Sequence, residues 1–223
     1  DAKGAVVAFG GRTLGDGEPK YLNSPESPLF SKSRVLYGLS QGIAAIRKSR
    51  RAMLMEGYMD VIASHQFGLT NACAPLGTAL TPDHAALLGR YASDVVIVFD
   101  ADNAGINAAV RGAEIALAKG LGVRIASVPE GKDPDEYLHA KGAASFEAAL
   151  AQAVDLVEFK TELLVKKESF PLSPEAKSSV AKQVLATIEQ SPDEVLKAEW
   201  IRRLAQRLGV PEHALRKQGE KSA

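Results

Sequence analysis

The sequence predicts an α/β protein: a parallel sheet with crossover helices, preceded by part of a small basic α+β subdomain and followed by a C-terminal helical bundle. Three observations predict it. Between about residues 52 and 142, short apolar runs alternate with stretches of helical periodicity, as they must where parallel strands are joined across a sheet. The preceding residues are basic and punctuated by glycine and proline, and from about Ala143 glycine nearly vanishes while helical spacing continues to the end. The expected divisions are therefore 1–51, 52–142 and 143–223.

In the first division, Ala5-Val6-Val7-Ala8-Phe9 is apolar, and Gly10-Gly11 and Gly15-Asp16-Gly17 mark a hairpin-like region. A sheet this small has an open edge and little core, so further sequence upstream is expected. Pro25 and Pro28 mark an extended loop, and Leu36, Leu39, Ile43 and Ile46 carry helical spacing in a connector from Val35 to Arg47. In the second division, strands are expected at Ala52 to Met55, Ala72 to Pro75, Val95 to Phe99 and Val123 to Val128. Helices are expected at about Met59 to Gln66, Pro82 to Tyr91 and Asn103 to Lys119. The last is the clearest, with Ile106, Val110, Ala113 and Leu117 on one face and Gly120 as its stop. In the third division, Ser173-Pro174 reads as an N-cap with proline at the first helical position, and Ser191-Pro192-Asp193-Glu194 as a capping box. Leu196, Trp200, Leu204 and Leu208 repeat every four residues and are expected to be core.

Composition narrows the function. The chain has 223 residues, 46% hydrophobic and 24% charged, enough to bury a core without a disulfide or structural metal. A single cysteine, Cys73, and four dispersed histidines leave no zinc spacing, so no zinc is expected. No apolar run approaches the roughly 20 residues that span a bilayer, and the polar start is neither a signal peptide nor an initiator methionine. A cytoplasmic fragment with no membrane association is expected. The zero formal net charge conceals a gradient: nine basic and four acidic residues in 1–51, then six and eleven in 52–142, then twelve of each. Basic beside acidic surface suits phosphate chemistry with a bound cation, or simply two solvated faces of opposite sign.

The chemistry lies in carboxylates at strand ends, where ligands bind in open α/β sheets. Met55-Glu56-Gly57-Tyr58-Met59-Asp60 puts Glu56 where a strand stops, and the apolar Val95-Val96-Ile97-Val98-Phe99 delivers Asp100-Ala101-Asp102 to the same end. Two carboxylates one residue apart project to one side of an extended chain. Such a cluster repels itself unless a divalent cation balances it, and all-oxygen ligands favour Mg²⁺ or Mn²⁺. Asp133 and Asp135, in Gly131-Lys132-Asp133-Pro134-Asp135-Glu136, follow the last strand, although Asp133 also reads as an N-cap. A strand ending in Asp-x-Asp also occurs in aspartate-nucleophile phosphatases, where the motif normally opens the fold.

The order Glu56, then Asp100-Ala101-Asp102, resembles the Toprim domain shared by bacterial primases, topoisomerases and some nucleases. Glu56-Gly57-Tyr58-Met59-Asp60 resembles the signature of DnaG-type bacterial primases. So, in order, do Phe9-Gly10-Gly11-Arg12, Lys20-Tyr21-Leu22-Asn23-Ser24-Pro25-Glu26, Leu36-Tyr37-Gly38-Leu39, Leu76-Gly77-Thr78-Ala79-Leu80-Thr81 and Gly131-Lys132-Asp133-Pro134-Asp135. The resemblance spans nearly the whole chain and is diffuse after about residue 150; Ala101 and Asn103 stand where members of the family vary.

The resemblance implies a Toprim-like fold and template-directed synthesis of short RNA primers on single-stranded DNA from nucleoside triphosphates. It implies Glu56, Asp100 and Asp102 as catalytic residues and, with Asp133 and Asp135, as metal ligands, Glu56 being either a ligand or a general base. Asp60 is expected to orient a ligand or cation from behind the site. Arg12, Lys20, Asn23, Lys32 and Arg34 are expected to meet nucleotide or template phosphates. The family's zinc-binding domain, the rest of its basic subdomain and a helicase-docking C-terminal domain are expected to lie outside this sequence. A replicative helicase is therefore expected as a partner only through an absent segment. Another Toprim nuclease or topoisomerase fragment, an aspartate-type phosphatase and a non-catalytic nucleic-acid-binding module remain alternatives.

Overall fold

A computed structural model describes residues 1–13, 21–99, 103–128 and 133–220. Strands β1 (Gly10–Arg12) and β2 (Tyr21–Asn23) pair antiparallel as a small hairpin. Ala5 to Phe9 forms no strand, and Val6 and Phe9 are exposed. Gly15-Asp16-Gly17 lies outside the described residues. Helix α1 (Leu39–Ser49) starts four residues later than its periodicity suggests. Gly38 takes φ 78°, a left-handed conformation that no helical residue shares, so Leu36 reaches the core from a turn.

The central sheet is built from β3 (Arg51–Leu54), β4 (Ala72–Cys73), β5 (Asp94–Phe99), β6 (Gly122–Ser127) and β7 (Val154–Asp155), in the order β4-β3-β5-β6-β7. The first three pairings are parallel, as expected; β7 joins β6 antiparallel, which nothing in the sequence signals. The crossovers are α2 (Tyr58–Gln66), α3 (Pro82–Leu88) and α4 (Asn103–Ala118), with α5 (Pro134–Ala151) between β6 and β7. Helix α4 ends where expected, at Gly120 with φ 78°. Helix α5 is broken at Gly142, whose φ of 77° interrupts it.

Strand side chains alternate between faces, and so do their neighbours. Ala52, Leu54, Val95, Ile97, Phe99, Val123 and Ile125 join one large core with α1, α3 and α4. The same core continues into α6 (Leu156–Val165), α7 (Pro174–Ile188), α8 (Glu194–Leu208) and α9 (Glu212–Glu220). Met53, Met55, Val96, Val98, Ala126 and Val128 point the other way, into a smaller core closed by α2 and α5. Trp200, Leu204 and Leu208 are buried as expected, whereas Leu196, in the first turn of α8, is 43% exposed. The expected cap at Ser173 is present. The α8 cap is Asp193, not Ser191: its Oδ1 accepts from the amides of Val195 and Leu196, and the Ser191 hydroxyl accepts from the Asp193 amide.

A partly buried polar junction ties α4 to the helical region. The Lys160 ammonium on α6 donates to Glu114 of α4 and to the Thr187 hydroxyl of α7, each at 2.7 Å, and Thr187 donates to the same Glu114 oxygen at 2.7 Å.

Candidate active site at the carboxyl end of the sheet

Strand order fixes where a ligand enters. From β3 the chain moves outward to β4 and then returns to β5 on the other side of β3, so the crevice between β3 and β5 is the topological switch point. The pairing Leu54 with Ile97, carried two residues further, sets Glu56 opposite Phe99, the residue before Asp100. Neighbouring strands lie about 4.8 Å apart, so the ends of β3 and β5 adjoin. Glu56 is exposed there and lines a cleft of about 350 Å³ with Pro75, Thr78, Phe99, Ala109 and Gly112. Asp100, Asp102 and Lys20 lie outside the described residues.

Asp60 is 8% exposed, and both of its carboxylate oxygens accept from main-chain amides. Its Oδ2 accepts from the Gly57 amide at 3.1 Å, closing the first turn of α2 directly after Glu56. Its Oδ1 accepts from the Asp135 amide at 3.3 Å. One carboxylate therefore joins the loop bearing Glu56 to the start of α5, where Asp133 and Asp135 stand. Asp133 is the N-cap of α5, accepting from the Glu136 amide at 2.7 Å, with Pro134 at the first helical position. Asp135 stands 3.3 Å from His139 one turn on, and His139 meets the Phe67 ring edge to face.

The small hairpin is attached to this end of the sheet by Tyr58, two residues beyond Glu56. Its hydroxyl donates to the Gly11 carbonyl at 2.9 Å, and its ring packs against Tyr21 and Tyr37. Burial is the main cause raising the Tyr58 pKa above the usual phenol value, so the hydroxyl stays a donor at neutral pH. Arg12 is exposed, 5.4 Å from the centre of the Tyr21 ring. Asn23 is in the last pair of the hairpin, and among the described residues its buried side-chain oxygen has no hydrogen-bond donor. Gly10 and Gly77 border it, and a Cβ on either would crowd the Asn23 amide.

Lys32 and Arg34 sit on a different loop. The Lys32 amide donates to Glu26 at 2.7 Å and the Arg34 amide to the Ser31 carbonyl at 3.0 Å. Helix α3 holds that loop: the Thr81 hydroxyl donates to the Ser33 carbonyl at 2.6 Å, and His84 reaches the Val35 carbonyl at 3.1 Å. Because His84 Nδ1 accepts from the Thr81 amide, Nε2 carries the proton and donates to Val35. Burial lowers the His84 pKa, keeping the ring neutral and this bonding intact. Thr81-Pro82 carries a visible capping signal in the sequence, but the reach of His84 and Tyr58 to distant carbonyls has none.

The structure thus ties the turn after Glu56 to the start of α5 through Asp60 and attaches the hairpin that carries Arg12 and Asn23 through Tyr58, while Lys32 and Arg34 lie on the loop held by α3. Among the described residues, no three His, Cys, Asp or Glu side chains group closely enough to hold a metal. Glu56, the carboxylate that lines the cleft, is a hard oxygen donor of the kind divalent cations take.

Three family models match. Residues 53–138 match the Toprim-like family, 1–43 the N-terminal domain of the DNA primase catalytic core, and 157–213 the DnaB-helicase binding domain of primase. The last match overturns the expectation that a helicase-docking domain lies outside this sequence. Amphipathic periodicity marks that stretch as a helical bundle but says nothing of a partner. The chain is 39% identical to the DNA primase of Halalkalibacterium halodurans over 219 residues, covering 98% of the chain and 36% of that protein. It is 38% identical to the DNA primase of Escherichia coli K12, covering 94% of the chain and 36% of that protein. The chain thus spans about a third of the length of these relatives.

Among solved structures, a DNA primase domain from Pseudomonas aeruginosa superposes with a TM-score of 0.88 at 38% identity, covering 99% of this chain and 70% of the other. A DnaG primase catalytic domain bound to single-stranded DNA gives 0.87 at 37%, covering 96% and 68%. With identity at this level over almost the whole chain and more than two thirds of those cores, the chain belongs to the DnaG-type DNA primases.

Proposed function

We propose that this chain is part of the catalytic core of a primase that joins ribonucleotides into short RNA primers on a single-stranded DNA template. The observation that carries the reading is the convergence of β3 and β5 at the switch point, with Glu56 at the end of one and Asp100-Ala101-Asp102 continuing the other.

Glu56, Asp100 and Asp102, with Asp133 and Asp135 from the start of α5, would hold Mg²⁺ or Mn²⁺. Such an ion, when bound, offsets the charge of the attacking and leaving oxygens of an in-line displacement. Asp60 would keep the Glu56 loop and the start of α5 in fixed relation through its two amide contacts. Arg12, Lys20 and Asn23 on the hairpin, and Lys32 and Arg34 on the loop held by α3, would neutralise triphosphate and template phosphates. Few aromatic side chains are available to stack bases, so backbone contacts dominate template binding and pairing to the incoming nucleotide reads the sequence.

The divisions 1–51, 52–142 and 143–223 would serve as hairpin platform, catalytic sheet and helical subdomain. Residues 157–213 would offer a replicative helicase its docking region, as the matching family suggests. Among the described residues no helix is long and apolar enough to cross a membrane, and a cytoplasmic place at the replication machinery suits the reading.

Ribonucleotide incorporation on primed and unprimed single-stranded templates with Mg²⁺ or Mn²⁺ tests the proposal. Glu56→Gln and Asp100→Asn should each reduce incorporation to background while the thermal midpoint moves little. Full activity in both would remove the carboxylate site. Template-independent hydrolysis of a small phosphoester, without incorporation, would assign the chain to phosphatase chemistry instead.

A further inference from the structure

The amino end of the sheet, opposite the carboxylates, gathers a second charged surface. Helix α1 ends in Arg47 and Lys48, Arg50 caps it at φ 58°, and Arg51 opens β3. The Arg50 carbonyl accepts from the Ser93 amide at 2.9 Å and the Asp94 amide at 3.1 Å, which brings the turn after α3, with Arg90 and Tyr91, to the same corner. The Arg47 guanidinium lies 5.2 Å from the centre of the Tyr91 ring. All five cations are exposed, and none forms an ion pair or a side-chain hydrogen bond with a described residue. Asp94, which opens β5 at this corner, accepts from the Ser93 hydroxyl at 2.7 Å.

Cations gathered at one corner without paired carboxylates among the described residues favour a polyanion, whose binding releases condensed counterions. We propose that Arg47, Lys48, Arg50, Arg51 and Arg90, with Tyr91, form a second nucleic-acid site that grips the phosphate backbone of single-stranded DNA away from the catalytic cleft. This rests on the primase reading for its choice of polyanion. A single strand fits better than a duplex because the Arg47 guanidinium and the Tyr91 ring, 5.2 Å apart at this corner, are planar groups of the kind against which an unpaired base stacks. Strands of four and six residues separate this corner from the cleft, roughly 15–20 Å. The site therefore holds template beyond the segment being copied.

The test is the triple variant Lys48→Gln, Arg51→Gln, Arg90→Gln, which spares the Arg47–Tyr91 contact and the Arg50 cap. Its partner is a control of equal charge loss elsewhere, Arg111→Gln, Lys182→Gln, Lys217→Gln. Fluorescence anisotropy with a labelled thymidine oligomer of roughly 30 nucleotides is followed from about 50 to 300 mM NaCl. The first variant should bind about tenfold more weakly, and the slope of log K against log salt should shrink by about two, since each lost single-strand contact removes about 0.7. The control and the wild type should agree within about twofold. Equal affinity and slope in the first variant, or equal losses in both variants, would overturn the proposal, as would a loss confined to a labelled duplex hairpin. Incorporation assays separate the two readings. A wild type that incorporates nothing yet shows the binding difference loses only the polymerase reading. An active enzyme without that difference loses only the second site.

Discussion

The two faces of the central sheet are closed in different ways. On one, helices α1, α3, α4 and α6 continue into α7, α8 and α9, so that the strands share one core with the whole helical region. On the other, α2 and α5 alone cover Met53, Met55, Val96 and Val98 around Phe146 and Leu138. The thin side carries Asp60, Asp133 and Asp135, and there a single carboxylate with two amide contacts bridges the covering helices. The thick side carries the Glu114, Lys160 and Thr187 junction. Packing supports one flank of the site, and hydrogen bonding to main-chain amides aligns the other.

The largest test of that contrast is Phe146→Ala, which empties the middle of the thin side and should cost about 3–5 kcal/mol. Because the strands serve both faces, urea unfolding followed by circular dichroism and by the fluorescence of Trp200, the only tryptophan and on the thick side, should shift together. A Trp200 transition that stays in place would show that the faces unfold as separate units.

A smaller effect is expected at the polar junction. Lys160 and Glu114 side chains are 18% and 22% exposed, so Lys160→Met, which strands the carboxylate, should cost about 1–3 kcal/mol, less than at a fully enclosed pair. Lys160→Met with Glu114→Gln should recover most of that loss in a double-mutant cycle. Additive losses would mean that the two groups do not interact.

The smallest effect is a pH dependence at His84. Its folded pKa lies below the ordinary histidine value, so the unfolded chain binds the extra proton first as pH falls. The stabilisation is complete above about pH 6.5 and declines as pH drops towards the folded value, by at most about 1.4 kcal/mol per pH unit. The groups facing the ring include the Thr81 amide and the Lys32 and Val35 main chain, with Asp83 beside it. Urea midpoints between about pH 5 and 7.5 should fall more steeply for the wild type than for His84→Gln. Parallel slopes would assign the dependence to other groups.

Local signals explain what could be read without coordinates. Helix α4 was legible because Ile106, Val110, Ala113 and Leu117 share a face and Gly120 can take a positive φ. Helix α1 was read too early because Leu36 keeps the helical spacing and is buried, although Gly38 turns the chain before the helix begins. Strand β7 was illegible: two residues pair with β6 only because the chain returns there after α5. The strand-end carboxylates could be found from the apolar runs that deliver them. The parts played by Tyr58 and His84 could not, since each donates to a carbonyl more than forty residues away and a main-chain acceptor leaves no mark on residue choice.

Both margins of the five-stranded sheet are short: β4 and β7 have two residues each, and beyond β4 the Tyr37 amide and carbonyl already exchange hydrogen bonds with Ala74. An extended peptide therefore finds almost no backbone ladder to prolong, which disfavours strand addition both as a mode of recognition and as a route to fibrils. At these two margins, association would run through side chains and helix surfaces, where single substitutions and ionic strength can tune it.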